Sequence, residues 1–177
     1  MKIPHKMKGA VLVEQKRPLK ILDIELPKSL EFGQVLVEMK YSGICGSQLG
    51  EIDGVKGADD YLPHLLGHEG SGLVMAVGEG VKKVHRGDHV VLHWRKGSGI
   101  DSAPPHFSSN GQKINAGWIT TFNEFAIVSE NRITPIPKTS DLEVAALFGC
   151  AVTTGFGVIV NNAKLAFGES VVVFGAG

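Results

Sequence analysis

The sequence predicts a mainly β fold, a small barrel or sandwich with short helices, passing near its C-terminus into a helix and strand of the α/β kind. Two observations predict the β part. Up to Pro137 the apolar residues come in short β-branched runs separated by turn residues. The 177 residues also include 23 glycines, well above the usual share of about 7% and without a collagen period. A third observation predicts the change of class: after Pro137 a long uncharged stretch leads to an apolar run and Gly175-Ala176-Gly177. Hydrophobic residues make up 43% of the chain, enough for a packed core and too many for global disorder.

Residues 9–14 and 34–40 are rich in β-branched side chains, and Val35-Leu36-Val37-Glu38-Met39 partly alternates, the period of a strand. Residues 73–77 and 90–92 repeat the style, with turns at Ser71-Gly72, Gly78-Glu79-Gly80 and Arg86-Gly87-Asp88. Residues 96–117 hold Gly97, Gly99, Pro104, Pro105, Ser108, Ser109, Asn110 and Gly111 and few large apolar side chains. They read as a long loop, which is usually functional or mobile. Ordered texture resumes at Trp118 and runs through Phe122, Phe125, Ile127 and Val128 to Pro135-Ile136-Pro137. Ser140-Asp141-Leu142-Glu143 has the form of a capping box and opens a short helix over 141–148. A second helix is expected over 153–164, ended near Gly168. Val171-Val172-Val173-Phe174 reads as a buried strand, and a strand entering Gly-x-Gly is how a dinucleotide-binding unit begins. The expected division is 1–150 as one domain and 151–177 as the start of another. Because the sequence stops inside a phosphate-type turn, an N-terminal piece of a longer protein is expected.

The 18 basic and 18 acidic side chains cancel, so the basic excess of a nucleic-acid binder is missing. Two cysteines, Cys45 and Cys150, cannot make a disulfide scaffold. The apolar run 9–13 is too short for a signal-peptide core, and a cytoplasmic protein is expected. Residues 144–163 carry no charge and match the length of a membrane span. Their Gly149, Thr153, Thr154, Gly155, Gly157, Asn161 and Asn162 favour a short buried helix pair instead, and no membrane partner is expected. His85, His89 and His93 recur every fourth residue, but Gly87-Asp88 and Val90-Val91-Leu92 place them on a turn and strand rather than on a helical metal face. Lys82, Lys83, Arg86, Arg95 and Lys96 read as a solvated sheet face.

Three segments carry metal-binding chemistry: Gly43-Ile44-Cys45-Gly46-Ser47, Leu66-Gly67-His68-Glu69-Gly70, and Phe148-Gly149-Cys150 followed by Ala151-Val152-Thr153-Thr154-Gly155. Two thiolates and an imidazole suit zinc, and three protein ligands leave the fourth tetrahedral position open, the pattern of a catalytic site. Spacing alone does not select this reading. The cysteines form no Cys-x-x-Cys, and a buried cysteine is more often a small hydrophobe than a ligand.

Gly67-His68-Glu69-Gly70-Ser71-Gly72, followed at fixed spacing by Gly78 and Val81, resembles the signature of the zinc-containing alcohol dehydrogenases. The run 61–91, the Cys45 and Cys150 segments and the terminal Gly-x-Gly resemble the same family, in order, over nearly the whole chain except 96–117. The resemblance implies a GroES-like partly open barrel over 1–150, with the first helix and strand of a Rossmann domain over 151–177. It implies one catalytic zinc on Cys45, His68 and Cys150, and NAD or NADP as hydride acceptor from a small-molecule alcohol, or donor to an aldehyde or ketone. Ser47 matches the family's proton-relay hydroxyl; the residue alone would be read as a turn serine. Glu69 matches a residue beside the zinc or occasionally on it; its alternative is a partner for a basic side chain. Thr154 matches a threonine near the nicotinamide, otherwise a helix-start residue, and Gly175 and Gly177 the cofactor turn. Trp94 matches a bulky substrate-pocket position, with a core aromatic as the alternative. A homo-oligomer, dimer or tetramer, is implied for the full-length enzyme, and the 177 residues alone are expected to be inactive.

The sequence departs from the family in four places. Gln48 replaces an aspartate that supports the zinc, Gly50 a relay histidine in some members, and Gly46 a basic residue near the cofactor phosphate. Ser98 stands where the first of four structural-zinc cysteines would be, and 96–117 contains none, so no second zinc is expected. The competing readings are a zinc-free quinone reductase on the same fold and a GroES-like interaction module without catalysis.

Overall fold

The computed structural model describes residues 3–175. Its strands form two five-stranded sheets that wrap into a partly open barrel. The first sheet contains β1 (Lys6–Leu12), β2 (Lys20–Glu25), β4 (His64–Leu65), β7 (Phe107–Ser109) and β8 (Gln112–Ile114), in the order β4-β1-β2-β7-β8. The second contains β3 (Gln34–Ser42), β5 (Glu69–Val77), β6 (His89–His93), β9 (Phe125–Ser129) and β10 (Ile133–Ile136), in the order β10-β6-β5-β3-β9. Every ladder is antiparallel. The sheets meet where Gly9 bridges Asn123 and the Ala10 N–H donates to the Phe122 carbonyl at 2.8 Å.

β3 shows why the sequence alternates only in part. Val35 and Val37 pack with Val74, Val90, Leu92 and Val128 in one core cluster. Leu36, on the other face, packs with Met7, Val11, Ile24 and Ile127 in the second. A strand covered on both faces needs apolar residues at both parities.

Residues 96–117 are not the structureless loop expected. They contain the β7–β8 hairpin, which turns at Asn110 and Gly111, φ 49° and 78°. Phe107 and Ile114 anchor it in the second cluster. The loop's first half is tied down by Glu130. This buried carboxylate accepts the backbone N–H of Lys82 (2.6 Å), Lys83 (2.8 Å) and Ile100 (2.8 Å).

Three helices follow the strands' logic. α1 (Gly46–Ile52) leads off from Cys45. α2 (Leu142–Ala146) is capped by Asp141, not by Ser140: the Asp141 carboxylate accepts from the Glu143 N–H at 2.8 Å. α3 (Ala151–Gly157) starts two residues before the expected second helix and continues as a π-type turn, Val158–Ala163, ended by Lys164 at φ 52°. No single helix among the described residues is long and apolar enough to cross a membrane. The stretch 142–163 is bent by 55° at its break.

The expected strand at 171–174 does not form. Val171 to Phe174 are exposed and unpaired, and Phe174 is 96% exposed. A buried-type strand needs neighbours on its edges, and no strand among the described residues lies beside it. Gly175 has φ 85°, as a tight turn requires, whereas Gly177 lies outside the described residues.

Candidate metal centre

Three separate elements bring the candidate ligands together. Cys45 is the residue before α1, in extended conformation at φ −109° and ψ 148°. Gln48, in the first turn, accepts the Cys45 N–H at 2.9 Å, the backward half of a capping box, and so fixes the cysteine's backbone. His68 enters β5 from Gly67, whose φ of 94° and contact with Thr121 and Phe122 leave no space for a side chain. Cys150 ends the turn after α2. Before it, a Cβ on Gly149 would run into the Leu92 carbonyl oxygen and the Cβ of Glu69. This close approach seats Cys150 over the β5–β6 ladder.

One ligand atom each from Cys45, His68 and Cys150 lies within 4.8 Å of the others. Zinc–sulfur and zinc–nitrogen bonds of about 2.3 and 2.0 Å place tetrahedral ligands roughly 3.5–3.8 Å apart. The trio is therefore within reach of that spacing. The His68 ring supports the fit. Its Nδ1 meets the Gln48 side-chain amide at 2.7 Å, whereas Nε2 is buried with no hydrogen-bond partner. A buried polar atom without a partner costs free energy unless something binds it.

At neutral pH the surroundings favour the ligating form of Cys45 and His68 and oppose that of Cys150. The Ser47 backbone N–H and hydroxyl draw the Cys45 thiol below its ordinary range, against burial. Burial pushes the Cys150 thiol up. Burial also holds His68 below the usual imidazole range, against the Glu69 and Glu51 carboxylates, so the ring stays neutral.

The other expected residues fall at different distances from this centre. The Ser47 Oγ stands 3.5 Å from His68 Nδ1 and is exposed. The Thr154 hydroxyl lies 3.9 Å from the Cys150 Sγ. Glu69 does not join the converging ligand atoms, and its partner is not a basic side chain. It is 2% exposed, and its carboxylate accepts the Ala151 N–H at 3.0 Å, which ties β5 to the Cys150 segment.

His68 and Gln48 line a cavity of about 620 Å³, walled by Leu66, Pro104, Trp118 and Ile119. Trp94 does not line it. It is 46% exposed, hence not a core aromatic, and faces an adjoining cavity of about 400 Å³ with Lys96, Trp118, Ile119 and Arg132. The sequence reading missed Trp118 and Arg132. A lone tryptophan after a glycine and a lone arginine between strands carry no pattern that marks them.

Comparison with known proteins identifies the family of this chain. The family model described as "Alcohol dehydrogenase GroES-like domain" matches residues 31–138. The S-(hydroxymethyl)glutathione dehydrogenases of Synechocystis sp. and Haemophilus influenzae are each 33% identical over 97% of this chain, which covers 53% and 52% of them. The crystal structure of an alcohol dehydrogenase zinc-binding domain protein from Burkholderia ambifaria superposes with a TM-score of 0.82 at 26% identity, over 93% of this chain and 51% of the other. Benzyl alcohol dehydrogenase from Acinetobacter calcoaceticus, at 24% identity and a TM-score of 0.75, shares the fold over 90% of this chain and 49% of its own. The chain belongs to the alcohol dehydrogenase GroES-like family. It spans about half the length of the curated relatives it matches.

Proposed function

We propose that this chain is the metal-binding half of a zinc- and NAD(P)-dependent dehydrogenase that interconverts alcohols with aldehydes or ketones. The observation that carries the reading is the convergence of Cys45, His68 and Cys150 around the unpartnered His68 Nε2, beside an apolar-walled cavity. Zinc held by these three residues would supply Lewis acidity to a substrate oxygen, and a nicotinamide cofactor would exchange the hydride.

The chain's own residues do the remaining work. Gln48 holds His68 and the Cys45 backbone together, so two ligands keep one orientation. Glu69 positions Cys150 through the Ala151 N–H. Ser47, exposed at the first turn of α1, would pass the hydroxyl proton towards water, a reading supported by its 3.5 Å approach to His68. Thr154, one turn past Cys150, is assigned to the nicotinamide side, with residues 151–177 as the start of the cofactor domain and Gly175 and Gly177 in its phosphate turn. Leu66, Pro104 and Ile119 exclude water around a small organic substrate.

Two thiols this close suit a reducing compartment, which supports a cytoplasmic location. The exposed Val172, Val173 and Phe174 support further burial in a larger subunit or a homo-oligomer. A screen of alcohols with NAD and NADP on the zinc-loaded full-length protein tests the function. Cofactor reduction that disappears with Cys45→Ser is the expected result. No turnover with any alcohol or aldehyde, on protein carrying stoichiometric zinc, overturns it.

A further inference from the structure

Only part of the 620 Å³ cavity beside His68 is walled by apolar side chains. Glu51, Asp59, Lys113 and Asn115 line it too, together with the ring of Tyr61, which is 72% exposed. Two of these polar groups are fixed in place and still have bonding capacity left. The Asp59 side chain is 14% exposed; one oxygen accepts the Tyr61 N–H at 2.8 Å and the other meets His64 Nε2 at 2.8 Å. The second ring nitrogen of His64 meets the Leu65 carbonyl at 2.9 Å, so the ring is held at both ends and holds Asp59 in turn. A carboxylate has about four lone-pair sites, so each Asp59 oxygen keeps one for the cavity. Asn115 closes the barrel seam: its N–H donates to the Pro63 carbonyl and its carbonyl accepts the Leu65 N–H, both at 2.9 Å. Its amide nitrogen donates to the Tyr61 carbonyl at 2.6 Å, which leaves Oδ1 without a partner among the described residues. The Glu51 carboxylate and the Lys113 ammonium likewise make no hydrogen bond or ion pair among the described residues.

Donors and acceptors of both charge signs in one cavity suit neither a plain hydrocarbon chain nor a single ionic group. They suit hydroxyls, each of which donates one hydrogen bond and accepts two. The apolar face of Tyr61 matches the C–H surface that such a molecule presents between its hydroxyls. We propose that the substrate is hydroxyl-rich, a polyol or a sugar, whose distal hydroxyls are held by Asp59, Asn115 and Lys113 while its reacting carbinol lies at His68. This rests on the metal centre being the reactive end. The chain itself sets the reach. His64, which holds Asp59, is four residues before His68 in one segment, so the two are no more than about 14 Å apart. One small molecule can therefore touch both ends of the cavity.

The test measures binding by calorimetry on the zinc-loaded full-length protein. The probes are the hexitols sorbitol, mannitol and galactitol, the methyl pyranosides of glucose, mannose and galactose, and hexan-1-ol, which has the carbon chain without the extra hydroxyls. At least one hydroxyl-rich probe is expected to bind about ten-fold more tightly than hexan-1-ol. The set that contains it identifies an open-chain polyol or a sugar ring. Asp59→Asn, which removes the charge but keeps an acceptor for His64, is expected to bring that ratio most of the way to one. Lys113→Met, at an exposed position and so usable should the asparagine variant fail to fold, is expected to lower it several-fold. A merely structural loss would weaken all probes alike and leave the ratio unmoved. Hexan-1-ol binding as tightly as every hydroxyl-rich probe, or a preference that survives both folded variants, overturns the proposal. Zinc content of the same samples separates the two readings. A hydroxyl-dependent preference in protein that takes up no zinc leaves the polar cleft standing and sinks the metal centre. Oxidation of hexan-1-ol at stoichiometric zinc, with no such preference, does the reverse.

Discussion

At the scale of single residues, the centre depends on side chains whose work is to hold others still. Gln48 makes two bonds, to the Cys45 N–H and to the His68 ring. Removing it leaves both free to rotate. Gln48→Ala is expected to weaken zinc binding by about 10–100-fold, measured by competition with a chelator dye. Glu130 plays the same part for the loop. Burial alone would raise its carboxyl pKa, but the N–H groups of Lys82, Ile100 and Lys83 outweigh it and hold the group below its ordinary 4.5. The folded pKa is depressed, so the stability it contributes is complete above pH 4.5 and is lost as pH falls through the lower folded value. Glu130→Gln is expected to cost about 2–3 kcal/mol near neutral pH by urea unfolding. The gap to wild type should narrow in acid, and a gap independent of pH would contradict the assignment.

At the scale of elements, the strands were the most legible part, because β1, β3, β5, β6 and β9 each announce themselves by β-branched runs between turns. β2 was passed over, since Lys20 and Asp23 break its apolar run and only Ile24 is buried. The β7–β8 hairpin was hidden by its polar composition, although Asn110-Gly111 is a strong turn signal. Its two anchors, Phe107 and Ile114, are too few to show as a period. The strand at 171–174 failed for the opposite reason: its residues state a propensity that only neighbouring strands can realise. The ligand trio was legible through motif resemblance. Its convergence was not, since residues 105 positions apart in sequence, Cys45 and Cys150, meet only through the ladders between them. α2 offers a local test. Asp141→Ala removes the cap that receives the Glu143 N–H and is expected to lower stability by about 1 kcal/mol. Ser140→Ala should have no comparable effect.

At the scale of the whole molecule, two core clusters build one half-closed barrel, and the candidate centre sits where the second sheet meets the segment after α2. Metal binding and folding are therefore linked, because Cys45, β5 and the Cys150 turn must be assembled together. Zinc is expected to raise the melting temperature in a concentration-dependent way. Its affinity should fall as pH falls, since burial favours the protonated Cys150 thiol that zinc must displace. The most direct measurement is zinc per chain by elemental analysis of purified protein, beside Cys150→Ser. The account predicts about one zinc per chain, reduced strongly in the variant. A wild-type chain that takes up no zinc after reconstitution under reducing conditions, or a variant that holds as much as wild type, would contradict it.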